Sequence, residues 1–134
     1  MIHENASIIK AKDVMHKGIV SIDGMATARE AAAKMRSEKL SYLLVDKRND
    51  DDAWGIVAVH DFIEKVIIPG RSSSNVHVYE IMTKPIITVP ADMDIRYVAR
   101  MIYRAGIRRT AVEEGGELIG TITLSSLILK NKLF

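Results

Sequence analysis

One pattern of residues occurs twice in this chain, about 67 positions apart, and that duplication constrains the fold more than any other feature. Val14-Met15 is matched by Ile81-Met82, Lys17 by Lys84, and Ile19-Val20-Ser21-Ile22 by Ile86-Ile87-Thr88-Val89. The same offset carries through a helical stretch, where Ala28, Ala31, Ala32 and Met35 correspond to Ile95, Val98, Ala99 and Ile102. Residues at i, i+3, i+4 and i+7 share one face of an α-helix, so each copy is expected to bury such a stripe. Beyond Val45 and Val112 the offset falls to 65, because the first copy carries two additional residues in a loop. Gly55-Ile56-Val57 then meets Gly120-Thr121-Ile122. A period this long exceeds the roughly 20–50 residues of solenoid arrays. Two copies packed about a pseudo-twofold axis are the expected arrangement.

Each copy reads strand, helix, strand, strand, helix, which gives an α+β fold of two βαββα repeats. In the first, Gly18 to Ile22 reads as a strand, and Thr27 opens a helix with Glu30 three residues on, the pattern of a capping box. Ser41 to Asp46 and Trp54 to Val59 read as buried strands, joined by the polar run Lys47 to Asp52 as a solvated turn. A helix from about Val59 to Ile68 is stopped by Pro69-Gly70. In the second copy, which begins with Val78 to Met82, Ile86 to Val89 is the first strand. Asp94 caps the helix, Gly106 ends it, Thr110 to Glu113 and Leu118 to Leu124 flank a tight turn at Glu114-Gly115-Gly116, and Ser125 to about Lys132 is the last helix. Pro69 to Asn75 is the most linker-like stretch. It parts residues 1–70, an N-terminal segment with the first repeat, from 71–134, the linker with the second, in one compact body.

Composition excludes several classes. Hydrophobic residues make up 48% of 134 positions, enough for a core, yet no apolar run approaches the ~18 residues of a membrane span. The chain contains no cysteine, so disulfides and thiolate metal sites are excluded and a cytoplasmic location is expected. The first residues lack the basic and apolar regions of a secretory signal. His3, His16, His60 and His77 are scattered with no zinc-ligand spacing, and Asp50-Asp51-Asp52 lacks the alternating ligands of a calcium loop. No nucleophile elbow, P-loop or dinucleotide fingerprint is present, and the seven methionines read as core filler. An enzyme is therefore not expected, nor a metal or obligatory cofactor.

Met82-Thr83-Lys84-Pro85-Ile86-Ile87-Thr88-Val89, then Ala105 to Val112, then Gly120-Thr121-Ile122-Thr123 resemble a cystathionine-β-synthase (CBS) domain. The first copy is similar through Val14-Met15, Ile19 to Ile22, Tyr42 to Asp46, and Gly55-Ile56-Val57 with Asp61. The resemblance covers about Asp13 to Lys130. It implies a Bateman module, the tandem CBS pair that binds adenine nucleotides or S-adenosyl ligands in clefts between repeats and regulates something else.

In the family a glycine, two apolar residues, a hydroxyl residue, two variable residues and an aspartate follow one another at the last strand-to-helix turn. There a carboxylate can accept bonds from both ribose hydroxyls. The first copy, Gly55 to Asp61, keeps the carboxylate Asp61 but has Ala58 in place of the hydroxyl. The second, Gly120 to Ser126, keeps Thr123 and has Ser126 in place of the carboxylate. Asp61 can equally stabilise its helix's first turn, and Ser126 reads as an N-terminal helix residue. Ser21 and Thr88 lie where family members reach an adenine edge, with strand hydroxyls facing solvent as the alternative. Ile19, Ile86 or Ile107 could line an adenine slot, a role that core packing explains equally well. Arg108 and Arg109 match positions that present basic side chains to phosphate. Strand alternation lets at most one of them face a given cleft, and Ser41-Tyr42 in the first copy makes the two clefts chemically unequal.

Arg96, Arg100 and Arg104, interleaved with Tyr97 and Tyr103, form a basic stripe on the second copy's long helix. It reads as a solvated face, with phosphate contact, a partner surface or nucleic-acid binding as alternatives; a net charge of +2 argues little for nucleic acid. The resemblance thus implies a stand-alone sensor of AMP, ADP, ATP or S-adenosylmethionine that acts in trans on an unidentified regulated protein by population shift. It also implies a homodimer. A scaffold with degenerate clefts is the competing class.

Overall fold

The computed structural model describes residues 8–131. The chain is α+β and divides into two compact units, Val20–Ile86 and a unit of the residues up to Ile19 together with those from Ile87 onward. The division falls at Ile19/Val20 and Ile86/Ile87, not at Gly70/Arg71, so the sequence repeat and the compact unit are different partitions of the chain. Their difference lies in the short segment that leads into each repeat's first strand. The leading helix α1 (Ala11–Val14) buries Ala11 and Val14 in the unit built from the second repeat.

In the continuous unit, β2 (Ser21–Ile22) pairs in parallel with β3 (Tyr42–Val45), which pairs antiparallel with β4 (Gly55–Ala58). The helix α2 (Ala28–Glu38) begins at the expected capping box. Thr27 Oγ1 accepts the Glu30 amide at 3.1 Å and the Glu30 carboxylate accepts the Thr27 amide at 2.9 Å. This reciprocal pair satisfies two of the amides that a helix start leaves unpaired. Ala28, Ala31 and Met35 are buried against Leu43, Val45 and Val57, with Ala32 half-buried at the edge of the stripe. The helix after β4 starts as α3 (Val59–Phe62) and continues as a π-helical turn, Ile63–Ile67, so the expected single helix is under-wound over its C-terminal half. The helix α4 (Val78–Ile81) packs Val78 and Ile81 into the same core.

In the other unit the sheet order is β1 (His16–Lys17), β7 (Glu117–Thr123), β6 (Arg109–Glu114), β5 (Thr88–Pro90). The helix α5 (Ile95–Ala105) is capped by Asp94, whose carboxylate accepts the Arg96 amide at 2.8 Å, and ends at Gly106 with φ of 66°. Only glycine adopts that left-handed backbone without steric cost. Ile95, Val98 and Ile102 are buried with Val89, Val112 and Ile122, whereas Ala99, expected in the stripe, is exposed. The last helix, α6 (Leu124–Leu129), begins at Leu124 instead of Ser125; Lys132, where it was expected to end, lies outside the described residues, as does His3.

The strands are shorter than their apolar runs: Gly18 to Val20 and Ile86-Ile87 precede β2 and β5 without belonging to them. The polar loop after β3 is not wholly a solvated turn either. Asp50 and Asp51 are exposed, but Asp52 binds Lys84 Nζ at 2.6 Å and Arg48 Nε at 3.2 Å. The Lys84 ammonium first, and the Arg48 amide second, hold the Asp52 carboxyl well below the usual carboxylate range. A carboxyl depressed on folding contributes stability that is fully present above its unfolded pKa of about 4 and lost as pH falls further. Asp52→Asn is therefore expected to lower the melting temperature at pH 7. Thermal melts should show this deficit shrinking as pH falls below about 4; a deficit independent of pH would exclude the ion pair as its cause.

Candidate functional site

Strand pairing decides which side chains share a face, because partners in register point the same way. In the unit containing β5, β6 and β7, Thr88 pairs with Ala111, Ala111 with Thr121, Arg109 with Thr123, and His16 with Thr121. Val89, Val112 and Ile122 belong to the core cluster on the opposite face. Thr88, Arg109, Thr121, Thr123 and His16 therefore occupy the sheet face turned away from that core. Thr88 at the start of β5, Arg109 at the start of β6 and Thr123 at the end of β7 converge on one end of the sheet. Leu124 N donates to the Arg108 carbonyl at 3.1 Å, fixing the strand-to-helix elbow beside Arg109. The buried Thr110 hydroxyl donates to the Ile87 carbonyl at 2.6 Å and seats the chain that enters Thr88.

The two arginines lie in different surroundings, Arg109 opening β6 and Arg108 just before it. Arg109 is half-buried on the polar sheet face, while Arg108 is exposed and lines a different feature. That feature is an apolar groove of about 930 Å³ between α5 and α6, where Arg108 and Ile107 meet Arg96, Arg100, Tyr103 and Ile128. Ile107, offered by its position as an adenine-slot residue, thus belongs to the groove. The basic stripe is solvent-facing: Arg96, Arg100 and Arg104 are exposed, and the Arg100 guanidinium sits 5.3 Å from the centre of the Tyr97 ring. Arg96 is also bound by Asp94 at 2.9 Å, which leaves less of the stripe's charge available than the sequence suggests.

The equivalent face of the unit Val20–Ile86 is different in chemistry. Ser21 pairs with Leu44, Leu44 with Ile56, and Tyr42 with Ala58. Where one unit pairs Arg109 with Thr123, the other pairs Tyr42 with Ala58, a phenol and a methyl group at the matched positions. Lys34 Nζ donates to the Ser21 carbonyl, and Ile86 N donates to the Trp54 carbonyl at 2.8 Å. Ser21, Ile86 and Asp61 belong to this unit, whereas Ile19, Thr88, Ile107, Arg108, Arg109, Thr123 and Ser126 belong to the other.

At both motif ends the third helical residue is used for capping. Asp61 is buried, and its carboxylate accepts the Ala58 amide at 2.8 Å. Lys65 Nζ lies 3.7 Å from the same carboxylate and His60 Nε2 3.5 Å, so the group is both hydrogen-bonded and charge-balanced. Ser126 is buried too; its hydroxyl accepts the Thr123 amide at 3.0 Å and donates to the Thr123 carbonyl at 2.8 Å. Thr123 Oγ1 accepts the Ser126 amide at 3.3 Å and lies 3.1 Å from the Ser125 hydroxyl. The helix-stabilising reading of Asp61 and Ser126 is thus what the hydrogen bonds show, and Thr123 alone of the three remains half-exposed.

The motif glycines have a packing role that spacing did not disclose. A Cβ on Gly120 would lie 2.4 Å from the His16 carbonyl oxygen and 2.6 Å from Met15 Sδ. On Gly55 it would lie 3.0 Å from Met82 Sδ and 3.2 Å from the Thr83 carbonyl oxygen. Each glycine lets the segment leading into a repeat run close against a strand, His16–Lys17 beside β7 and Thr83 beside β4.

Comparison with known proteins agrees with this architecture. The CBS domain family model matches residues 11–68 and 78–131. An uncharacterized protein of Methanopyrus kandleri is 28% identical over 90% of this chain and 61% of its own length, so the chain spans about three-fifths of that relative. A hexameric CBS-CP12 protein from bloom-forming cyanobacteria superimposes with a TM-score of 0.87 at 36% identity, covering 92% of this chain and 71% of that one. An uncharacterized conserved protein from Pyrococcus horikoshii gives a TM-score of 0.78 at 29% identity over 89% of both chains.

Proposed function

The chain belongs to the CBS domain family, and from that premise we propose that it is a sensor of an adenine nucleotide, binding it on the polar face formed by Thr88, Arg109 and Thr123. CBS domains are in general regulatory, ligand-binding and non-catalytic modules, and this one carries the pair in tandem. The observation that carries the nucleotide reading is the cation and two hydroxyls at one sheet end. A half-buried guanidinium can hold phosphate in two parallel hydrogen bonds, stronger there than in bulk water. Hydroxyls of Thr88 and Thr123 supply donors and acceptors of the kind that orient a ribose or a base edge.

The ligand signals by population shift: it favours whichever state of the protein binds it more tightly, and only that difference in affinity is transmitted. A partner protein reads the resulting state. Self-association is proposed through the exposed apolar residues of the last helix, Leu124, Ile128 and Leu129, beside the groove. Ile128→Glu is expected to convert a homodimer into monomers by light scattering, and a species unchanged by that substitution would remove this face from the interface.

A scaffold role is the second reading, favoured by the capping of Asp61 and Ser126, which turns the family's ribose-binding position inward in both repeats. Calorimetry with AMP, ADP, ATP and S-adenosylmethionine separates the two. Heat and a thermal shift with a phosphate-bearing ligand support the sensor; their absence with all four supports the scaffold.

A further inference from the structure

The unit Val20–Ile86 contains a second concavity, independent of the polar sheet face, at the opposite ends of β2 and β3. It encloses about 380 Å³, within the range of small-molecule sites. Its floor is Gly24, Val45 and Met82, its wall is Tyr79, and Asp23 and Asp46 stand at its rim.

The other unit provides an internal control, because the same offset identifies its counterparts. Tyr79 N donates to the Gly24 carbonyl at 3.0 Å, and Lys12 N donates to the Ala91 carbonyl at 3.0 Å, so the two backbones are equivalent there. Ala91 is buried where Gly24 is only half-buried, and Asp92 beside it is bound by Lys12 at 3.2 Å. Glu113, the counterpart of Asp46, spends its carboxylate on the Gly116 amide at 2.9 Å in the short hairpin. In the first repeat the loop is two residues longer and that bond is not made. The half-buried Asp46 carboxylate has no hydrogen-bond or ion-pair partner among the described residues. Among the described residues the Asp23 carboxylate accepts the nearby Met25 amide, at 2.8 Å, and no other hydrogen bond. The rim cations Arg48 and Lys84 are both turned to Asp52.

We propose that this pocket binds a small organic amine, with its ammonium on Asp46 beside Asp23 and its apolar body against Tyr79, Val45 and Met82. An uncompensated carboxylate at the mouth of an apolar cavity favours a cation, and the Tyr79 ring adds attraction for one at its face. Missing side-chain atoms at Gly24 make the space, and the loop insertion leaves the charge unsatisfied. Both are features of one repeat only.

The test uses the full chain with three probes that share a 2-phenylethyl group: 2-phenylethylamine, 2-phenylethanol and 3-phenylpropanoate. Calorimetry is expected to show binding of the amine and none of the carboxylate. Asp46→Asn should weaken the amine about tenfold or more. Gly24→Val should abolish binding by filling the pocket; its Cβ meets Tyr79 and Val45 only at an ordinary 3.5 Å, and retention of the fold is checked directly. Circular dichroism and unchanged nucleotide titrations verify that retention. Absence of amine binding, equal binding of the carboxylate, or amine binding undiminished in Gly24→Val would each overturn the proposal.

Discussion

Replacing Arg109 by alanine is expected to weaken binding of AMP, ADP and ATP by about tenfold to a hundredfold, the range set by losing charge-assisted hydrogen bonds to phosphate. S-adenosylmethionine has no phosphate, so its affinity should be nearly unchanged, and the ratio between ligands isolates the guanidinium from general damage to the face. Arg109→Lys should fall between the two, because an ammonium keeps the charge but loses the two-pronged grip. Arg108→Ala is the control: Arg108 is exposed along the α5/α6 groove and is expected to leave nucleotide affinity intact. Calorimetry on the four proteins decides the matter. If Arg108→Ala carries the loss and Arg109→Ala does not, the groove and not the sheet face is the phosphate site.

Gly120→Ala is expected to destabilise the protein by about 3 kcal/mol, at the upper end of the overpacking range, and to lower the melting temperature by roughly 10 °C. The clash is with backbone: the added carbon would lie 2.4 Å from the His16 carbonyl oxygen. Moving His16 also disturbs the antiparallel pairing of His16 with Thr121 and Lys17 with Gly120. Gly55→Ala should cost less than half as much, since the flexible Met82 thioether at 3.0 Å can rotate away and the Thr83 carbonyl oxygen, at 3.2 Å, needs to give only a few tenths of an ångström. Denaturant melts of both variants test this ordering, and equal losses would show that close approach of backbone is not what requires glycine in the motif.

The contrast between these two glycines also shows how far the sequence could be read. The duplicated apolar stripe announced both helices, and Thr27, Glu30, Asp94 and Gly106 marked their ends correctly, because capping depends on residues within one turn. Arg108 and Arg109 differ in exposure as adjacent residues at the start of a strand do, a local effect at a local element. What could not be read was non-local. A duplicated pattern is the same whether a leading segment packs on its own repeat or on the other, so the cut at Ile19/Val20 and Ile86/Ile87 left no mark in residue order. Asp52 looked like loop solvation because its partner Lys84 lies far along the chain. Asp61 and Ser126 were recognised as motif positions, and the capping alternative was visible from their place at a helix start. Distances to Ala58 and Thr123 then show the capping bonds themselves, which residue order could only suggest.

The way the units draw on the chain bears on their order of appearance during synthesis. Val20–Ile86 is one uninterrupted stretch, so its sheet and helices can close as soon as the ribosome has released Ile86. The other unit joins residues at or before Ile19 to strands that begin at Thr88, and β1 has no edge to pair with until β7 has been translated. Its leading segment must wait, unpaired, while the intervening body folds. Clones divided at residue 70 would strand that segment on the wrong fragment, whereas a circularly permuted gene opening at Val20 would deliver each body as a contiguous piece.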